Sequence, residues 1–294
     1  MEHQLWKEIV AVLSTLDKAR TPTRFDFSAT EIVQVYYWSV ICDRPTSWAC
    51  RRQNWPLHLR KRPLPSPATM SRRLRSPAVV ALLDALERRV TAPQKPGLFW
   101  MIDGKPLPIG GCSKDRQAGY GRAARGMAKG YKLHALIGSD GTLACWRIAP
   151  MNKDERVMAE RLLKGAPATV VGYVAADSNY DSNKLHRLCD DRGDLQLVTP
   201  RRGGPAKGTG HRLQAAGRLR SIAMTETPFR DFGRQLLEDR GEIERQFGNL
   251  CNWGGGLTCL PAWVRGHRRV RRWVQAKLVL TARKRDAQSR TCAA

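Results

Sequence analysis

The chain has 294 residues, room for two domains, and 42% of them are hydrophobic, enough for a sizeable core. Its 51 basic residues against 26 acidic ones leave a net charge of +25, which implies a polyanionic partner. No segment reaches the apolar length needed to span a bilayer, so nucleic acid is expected and a membrane is not.

The first residues carry acids and lack a signal-peptide core. Leu5, Trp6, Ile9, Val10, Leu13 and Leu16 recur at helical spacing and predict an amphipathic opening helix. Ser28-Ala29-Thr30-Glu31 resembles a capping box ahead of Ile32 to Trp38, a second helix. A third is expected from Thr46. Ser66-Pro67 predicts another, with serine as N-cap and proline at the first helical position. From Arg51 to Arg75 there are eight basic residues and no acid. Two short helices, the second basic, suggest a helix-turn-helix that reads a major groove, with Arg72 and Arg73 as DNA contacts. Ala78 to Val90 predict a further helix, and 91–97 read as a linker.

Leu98 to Ile102 read as a buried strand ending in Asp103. The glycine- and arginine-rich stretch from Gly110 to Gly130 is expected to be a loop over the site. Tyr131–Ile137 and Leu143–Ile148 predict strands joined at Asp140-Gly141, a hairpin turn. Asn152 is expected to cap the next helix. Val170 to Ala176, an apolar and largely β-branched run, then ends at Asp177. A helix follows from Ser182 to Arg192, with Asp181 as its expected cap, and then a short strand from Leu195 to Pro200. The order β-β-β-α-β-α-β-α is that of a ribonuclease-H-like fold, a mixed α/β sheet flanked by helices.

Residues 201–220 are basic and glycine-rich, with Arg201, Arg202, Lys207, Arg212, Arg218 and Arg220. A loop ordered against phosphate fits them, since such contacts release counterions. Glu238 to Asn252 predict one helix carrying Glu244, with Arg240 a turn before it on the same side. Arg265 to Arg285 hold nine basic residues and no acid, and predict an amphipathic helix with a basic outer face. The eight cysteines include no C-x-x-C pair and read as reduced thiols of a cytoplasmic protein. His134 sits inside a strand pattern and is expected to be a core or edge histidine.

Chemistry in open α/β sheets sits beyond the carboxyl ends of the strands. If the two strands are parallel neighbours, Asp103 and Asp177 converge there, and a helix crossing that end supplies Glu244. Three carboxylates in one place need a cation. Hard oxygen ligands suit Mg²⁺, with Mn²⁺ as a substitute, and two-metal phosphodiester chemistry.

Ile102-Asp103-Gly104-Lys105-Pro106, Gly130-Tyr131-Lys132-Leu133-His134, Ala176-Asp177-Ser178-Asn179-Tyr180-Asp181-Ser182 and Arg240-Gly241-Glu242-Ile243-Glu244-Arg245-Gln246-Phe247-Gly248 resemble the DDE transposases of bacterial insertion sequences. The resemblance spans roughly residues 98–283, in the same order. It implies catalysis and metal binding by Asp103, Asp177 and Glu244, and Mg²⁺-dependent cleavage and strand transfer on double-stranded DNA, at transposon ends and at a target. A homodimer and a place on the bacterial nucleoid follow by analogy. The branch it is similar to carries a Tyr, Arg, Glu, Lys signature on its last helix. Arg240 and Glu244 fit, while Leu237 and Cys251 stand in the tyrosine and lysine places.

The expected organisation is a helical DNA-binding domain over 1–95, a ribonuclease-H-like domain over 96–285 with a basic loop over 201–225, and a tail over 286–294. DNA contacts are expected from Arg72, Arg73, Arg201, Arg202 and Arg240. The alternatives are a structure-selective nuclease on the same fold, which cuts without joining, and an inactive, domesticated transposase that only binds DNA.

Overall fold

The structure is a computed structural model that describes residues 2–16, 27–92, 97–110, 113–204, 208–209, 213–226, 230–252 and 256–292. Residues 93–96 of the expected linker, Lys207, Arg212 and residues 253–255 lie outside them. The chain divides into two compact units, one of Met1–Thr91, Asn252–Leu257 and Arg272–Ala294, the other of Ala92–Cys251 and Thr258–Arg271. No helix among the described residues is long and apolar enough to cross a membrane.

The first unit is helical. It holds α1 (Glu2–Leu16), α2 (Ala29–Ile41), α3 (Thr46–Ala49), α4 (Pro67–Arg73) and α5 (Pro77–Thr91). The expected capping box forms: Glu31 N donates to Ser28 Oγ at 3.2 Å, and Ser28 N to Glu31 Oε2 at 2.8 Å. Ser66 caps α4 and accepts from Thr69 N at 3.1 Å, with Pro67 at the first position. The core is aromatic. Trp6 meets Trp38 and Trp55 edge-on, at centroid distances of 6.4 and 5.5 Å, and Trp55 Nε1 donates to Ala49 O at 2.7 Å.

The last helix, His267–Cys292, departs from expectation twice. The tail expected from residue 286 is helical through Cys292. From Arg272 onward the helix belongs to this first unit, not to a catalytic domain over 96–285. Nor is it amphipathic there: Trp273 to Leu280 are all buried. Lys277 is among them, its Nζ donating to Val40 O at 3.1 Å and to Asp43 Oδ1 at 2.8 Å. A buried ammonium is tolerated because it is paired, and burial holds its pKa below the ordinary lysine value. Among the described residues the exposed basic face is confined to Arg268, Arg269 and Arg271, near the start of the helix.

The second unit is built on a sheet that has six strands among the described residues: β1 (Gly97–Pro108), β2 (Gly119–Ala123), β3 (Gly126–Gly138), β4 (Leu143–Pro150), β5 (Val170–Ala175) and β6 (Leu195–Val198). Their order is β2-β3-β1-β5-β6, with β4 also on β3. β1 pairs antiparallel with β3 and parallel with β5, and β5 pairs parallel with β6. That is the ribonuclease-H-like arrangement. The helices α6 (Glu155–Lys164) and α7 (Asn183–Arg192) interleave with the parallel strands. Trp100, Ile102, Leu136, Val174 and Leu197 form the core against Ala159, Leu163 and Leu185.

Several local expectations change. The stretch read as a loop over 110–130 contains β2 and the start of β3, a hairpin. Asp154 caps α6 in place of Asn152, accepting from Arg156 N at 2.8 Å. Ser182, not Asp181, caps α7. The last part of the basic loop over 201–225 is α8 (Ala216–Glu226). The single helix expected from Glu238 to Asn252 is two, α9 (Arg230–Asp239) and α10 (Gly241–Asn252), parted at Arg240. Gly241, a weak helix former, opens the second. The final helix is α11.

Candidate active site

β1 and β5 run side by side with Met101 opposite Ala175. Asp103 and Asp177 each stand two residues beyond that last pair, at the same end of the parallel ladder. β1 itself does not stop at Asp103. It continues to Pro108 against β3, with Asp103 opposite Ala135. The carboxylate therefore sits on a strand held from one side only. It lies beyond the last pair of β1 with β5.

The two environments differ. Asp103 Oδ1 accepts from Gly104 N at 2.7 Å. Burial is the main influence on it and pushes its carboxyl up to about 6, with the Asp177 charge acting in the same sense and Arg240 against it. Asp177 begins a short 3₁₀ turn over Ser178–Tyr180 and accepts from Asn179 N at 2.8 Å. Tyr180 is buried, and its hydroxyl has no hydrogen-bond partner among the described residues. Desolvation raises its pKa well above the ordinary value, and Glu155, Asp103 and Asp177 add to the rise. Asp103, Asp177, Glu155, Tyr180 and Arg240 thus share one electrostatic neighbourhood.

Two long-range pairings around these residues were not legible in the sequence. Glu155 opens α6 and receives Lys132 Nζ at 2.5 Å, a half-buried ion pair linking α6 to β3. Asp181 is buried and held by Arg218, whose Nε and Nη2 donate at 2.7 and 2.6 Å, and Arg202 N donates at 2.8 Å. His186 Nε2 lies 3.4 Å from it. These contacts hold the Asp181 carboxyl below the usual carboxylate range. Asp181 and Arg218 are 37 positions apart, and no local pattern pairs them.

Other expected residues fall elsewhere. Glu244 is exposed in the first turn of α10. Among the described residues, no three His, Cys, Asp or Glu side chains are gathered so as to hold a metal ion. Arg73 is buried at 8% exposure and donates to Phe27 O at 3.1 Å, so it turns inward, away from any phosphate. Arg72 beside it is exposed. Arg201 makes a two-pronged ion pair with Glu226, and Arg202 is exposed. His134 is buried in β3, as expected, and burial lowers its pKa to about 4. Cys42, Cys50, Cys145, Cys189, Cys251 and Cys259 are free thiols.

Two hard oxygen donors at the end of a parallel ladder, with an unpartnered buried hydroxyl near them, fit a divalent cation that fills its remaining positions with water and phosphate. Such a cation also removes the cost of ionising Asp103.

A family profile described as "Transposase DDE domain" matches residues 95–279. No curated protein matches the chain in sequence. Among solved structures, the cryo-EM structure of the piggyBac transposase synaptic complex with hairpin DNA is similar at 12% identity and a TM-score of 0.49, over 95% of this chain and 73% of that one.

Proposed function

The chain belongs to the transposase DDE-domain family, and from that membership we propose that it cuts and joins DNA at the terminal inverted repeats of an insertion sequence. The observation that carries this is the meeting of Asp103 and Asp177 where β1 and β5 stop pairing, inside the matched region. In the proposed reaction water opens a phosphodiester and leaves a 3′-hydroxyl. That hydroxyl then displaces the oxygen of a target phosphodiester. One bond forms for each one broken, and no covalent enzyme intermediate is needed.

Asp103 and Asp177 would hold Mg²⁺, or Mn²⁺ in its place, with Glu244 brought in from α10. When bound, the metal supplies charge stabilisation to the attacking and leaving oxygens. Arg240, at the junction of α9 and α10, bears on the Asp103 charge and is suited to hold the phosphate under attack. Arg72 and Arg202 are exposed and supply further phosphate contacts. The helical unit reads the terminal repeats, and two copies join two ends.

The test is Asp177→Ala on duplexes carrying the element's ends. Loss of cleavage in Mg²⁺ with end binding retained is the expected result, and a variant that still cuts overturns the assignment. A second reading, an inactive domesticated DNA binder, draws on the exposure of Glu244 and on Leu237 and Cys251 in the signature places. Cleavage by the wild-type chain excludes it, and Glu244→Gln measures what Glu244 contributes. Cutting without strand transfer favours the nuclease.

A further inference from the structure

The hairpin of β2 and β3 has two unlike faces. Its register pairs Tyr120 with Lys129 and Arg122 with Met127, and on the other face Gly119 with Gly130, Gly121 with Ala128 and Ala123 with Gly126. Directly opposed residues of a ladder point to the same side. One face is therefore glycine and alanine throughout, and at Gly119, Gly121 and Gly130 it is seated on the chain itself. A Cβ on Gly121 would lie 2.5 Å from Met151 O, and one on Gly119 would collide with Asn152. The other face stands in solvent, with Tyr120 61% and Met127 72% exposed and Arg122 exposed beside them. Arg125, in the turn, is exposed too. From Arg116 to Ser139 there are five basic residues and no acid.

The register also gives the direction in which this face looks. Met127, Lys129, Tyr131, Leu133 and Ala135 alternate onto one side of β3, and Ala135 is opposite Asp103. So the Tyr120/Arg122 face is the Asp103 face of the sheet. Between the two, that face is covered: Tyr131 lies against His267 and Lys105 against Phe247. The hairpin re-exposes it further along. At roughly 3.3 Å per residue the eight steps from Ala135 to Met127 span roughly 25 Å, or about seven base pairs of duplex.

We propose that the exposed face of the β2–β3 hairpin is a DNA-docking surface that holds the duplex flanking the cleaved phosphate, Arg122 and Arg125 on the backbone and Tyr120 and Met127 against the groove. The inference rests on the transposase reading and assigns it a surface. Charge complementarity selects the occupant, since an arginine pair without acids repels a basic partner and has little to offer an apolar one. Exposed tyrosine and methionine beside arginine match the mixed contacts that ribbons make in DNA grooves. Gly119, Gly121 and Gly130, where a Cβ would collide with the chain, keep the ribbon in one pose.

The experiment uses the full chain and a duplex of about 40 base pairs, titrated across salt. Arg122→Ala/Arg125→Ala is compared with Arg161→Ala/Arg187→Ala, exposed residues of α6 and α7 whose loss removes the same charge. The hairpin variant is expected to bind about tenfold more weakly and to lose about two from the slope of log K against log salt, well beyond the control. Tyr120→Ala/Met127→Ala is expected to weaken binding with the slope kept. Equal behaviour of the hairpin and control variants, with wild type binding DNA, overturns the docking surface alone. Wild type that binds no duplex overturns the transposase reading and the surface with it.

Discussion

Asp103 and Asp181 are carboxylates with opposite electrostatic characters. Burial lifts Asp103 to about 6. Its ionisation is easier in the unfolded chain, so its cost to the fold sets in as pH rises through about 4 and is complete above about 6. Asp103→Asn is expected to abolish cleavage yet stabilise the metal-free protein at neutral pH by up to about 3 kcal/mol, read by thermal unfolding. An Asn variant that melts lower contradicts this. Asp181 behaves the other way. Arg218, His186 and Arg202 N hold its carboxyl below the usual range. Its contribution is therefore present above about pH 4 and lost as pH falls through the depressed value. Arg218→Ala strands a buried charge and should cost about 3 kcal/mol at neutral pH. It should also flatten the acid limb of the stability profile, and an unchanged limb would show that the pair does not set it.

The pairing of β1 with β5 decides whether the two catalytic candidates meet. Gly172 in β5 has a φ of 84°, and a Cβ there would run into the backbone of Leu98. The register slips at this point, between Gly97 and Phe99. Only glycine serves where two backbones approach this closely in a left-handed conformation. Gly172→Ala is expected to destabilise by about 3 kcal/mol and to speed hydrogen exchange at Trp100 to Met101. Protection at wild-type level there would separate the glycine from the register. The β2–β3 hairpin shows how a composition can mislead. Glycine and arginine over 110–130 read as a loop, yet alternating glycines make one face of a ribbon. The period is two, hidden because the seated face carries no side chain larger than alanine to reveal it.

At the scale of the whole chain, the helical unit is closed by residues from both ends. Gln275 Nε2 donates to Asp84 Oδ1 at 2.7 Å and to Glu87 Oε2 at 2.6 Å, and Lys277 reaches Val40 and Asp43. A chain ending at Arg271 is expected to lose cooperative unfolding of that unit, seen by calorimetry as a missing transition. Residues 2–91 alone should then not fold, and a stable, cooperative fragment would refute the dependence. Much was readable without coordinates. Helix caps at Ser28 and Ser66, the strand that stops just short of Asp177 and, β2 apart, the order of strands and helices follow from short-range chemistry: hydrogen-bonding side chains at fixed offsets and apolar periods of two or 3.6. The family emerged from ordered blocks for the same reason. Only the tertiary structure decided that Arg73 turns inward, that Arg218 holds Asp181, that α11 is buried on all sides from Trp273 to Leu280 and that Glu244 stands exposed. Those outcomes depend on which distant surface excludes water from a charge, and nothing in a residue's near neighbours along the chain carries that information.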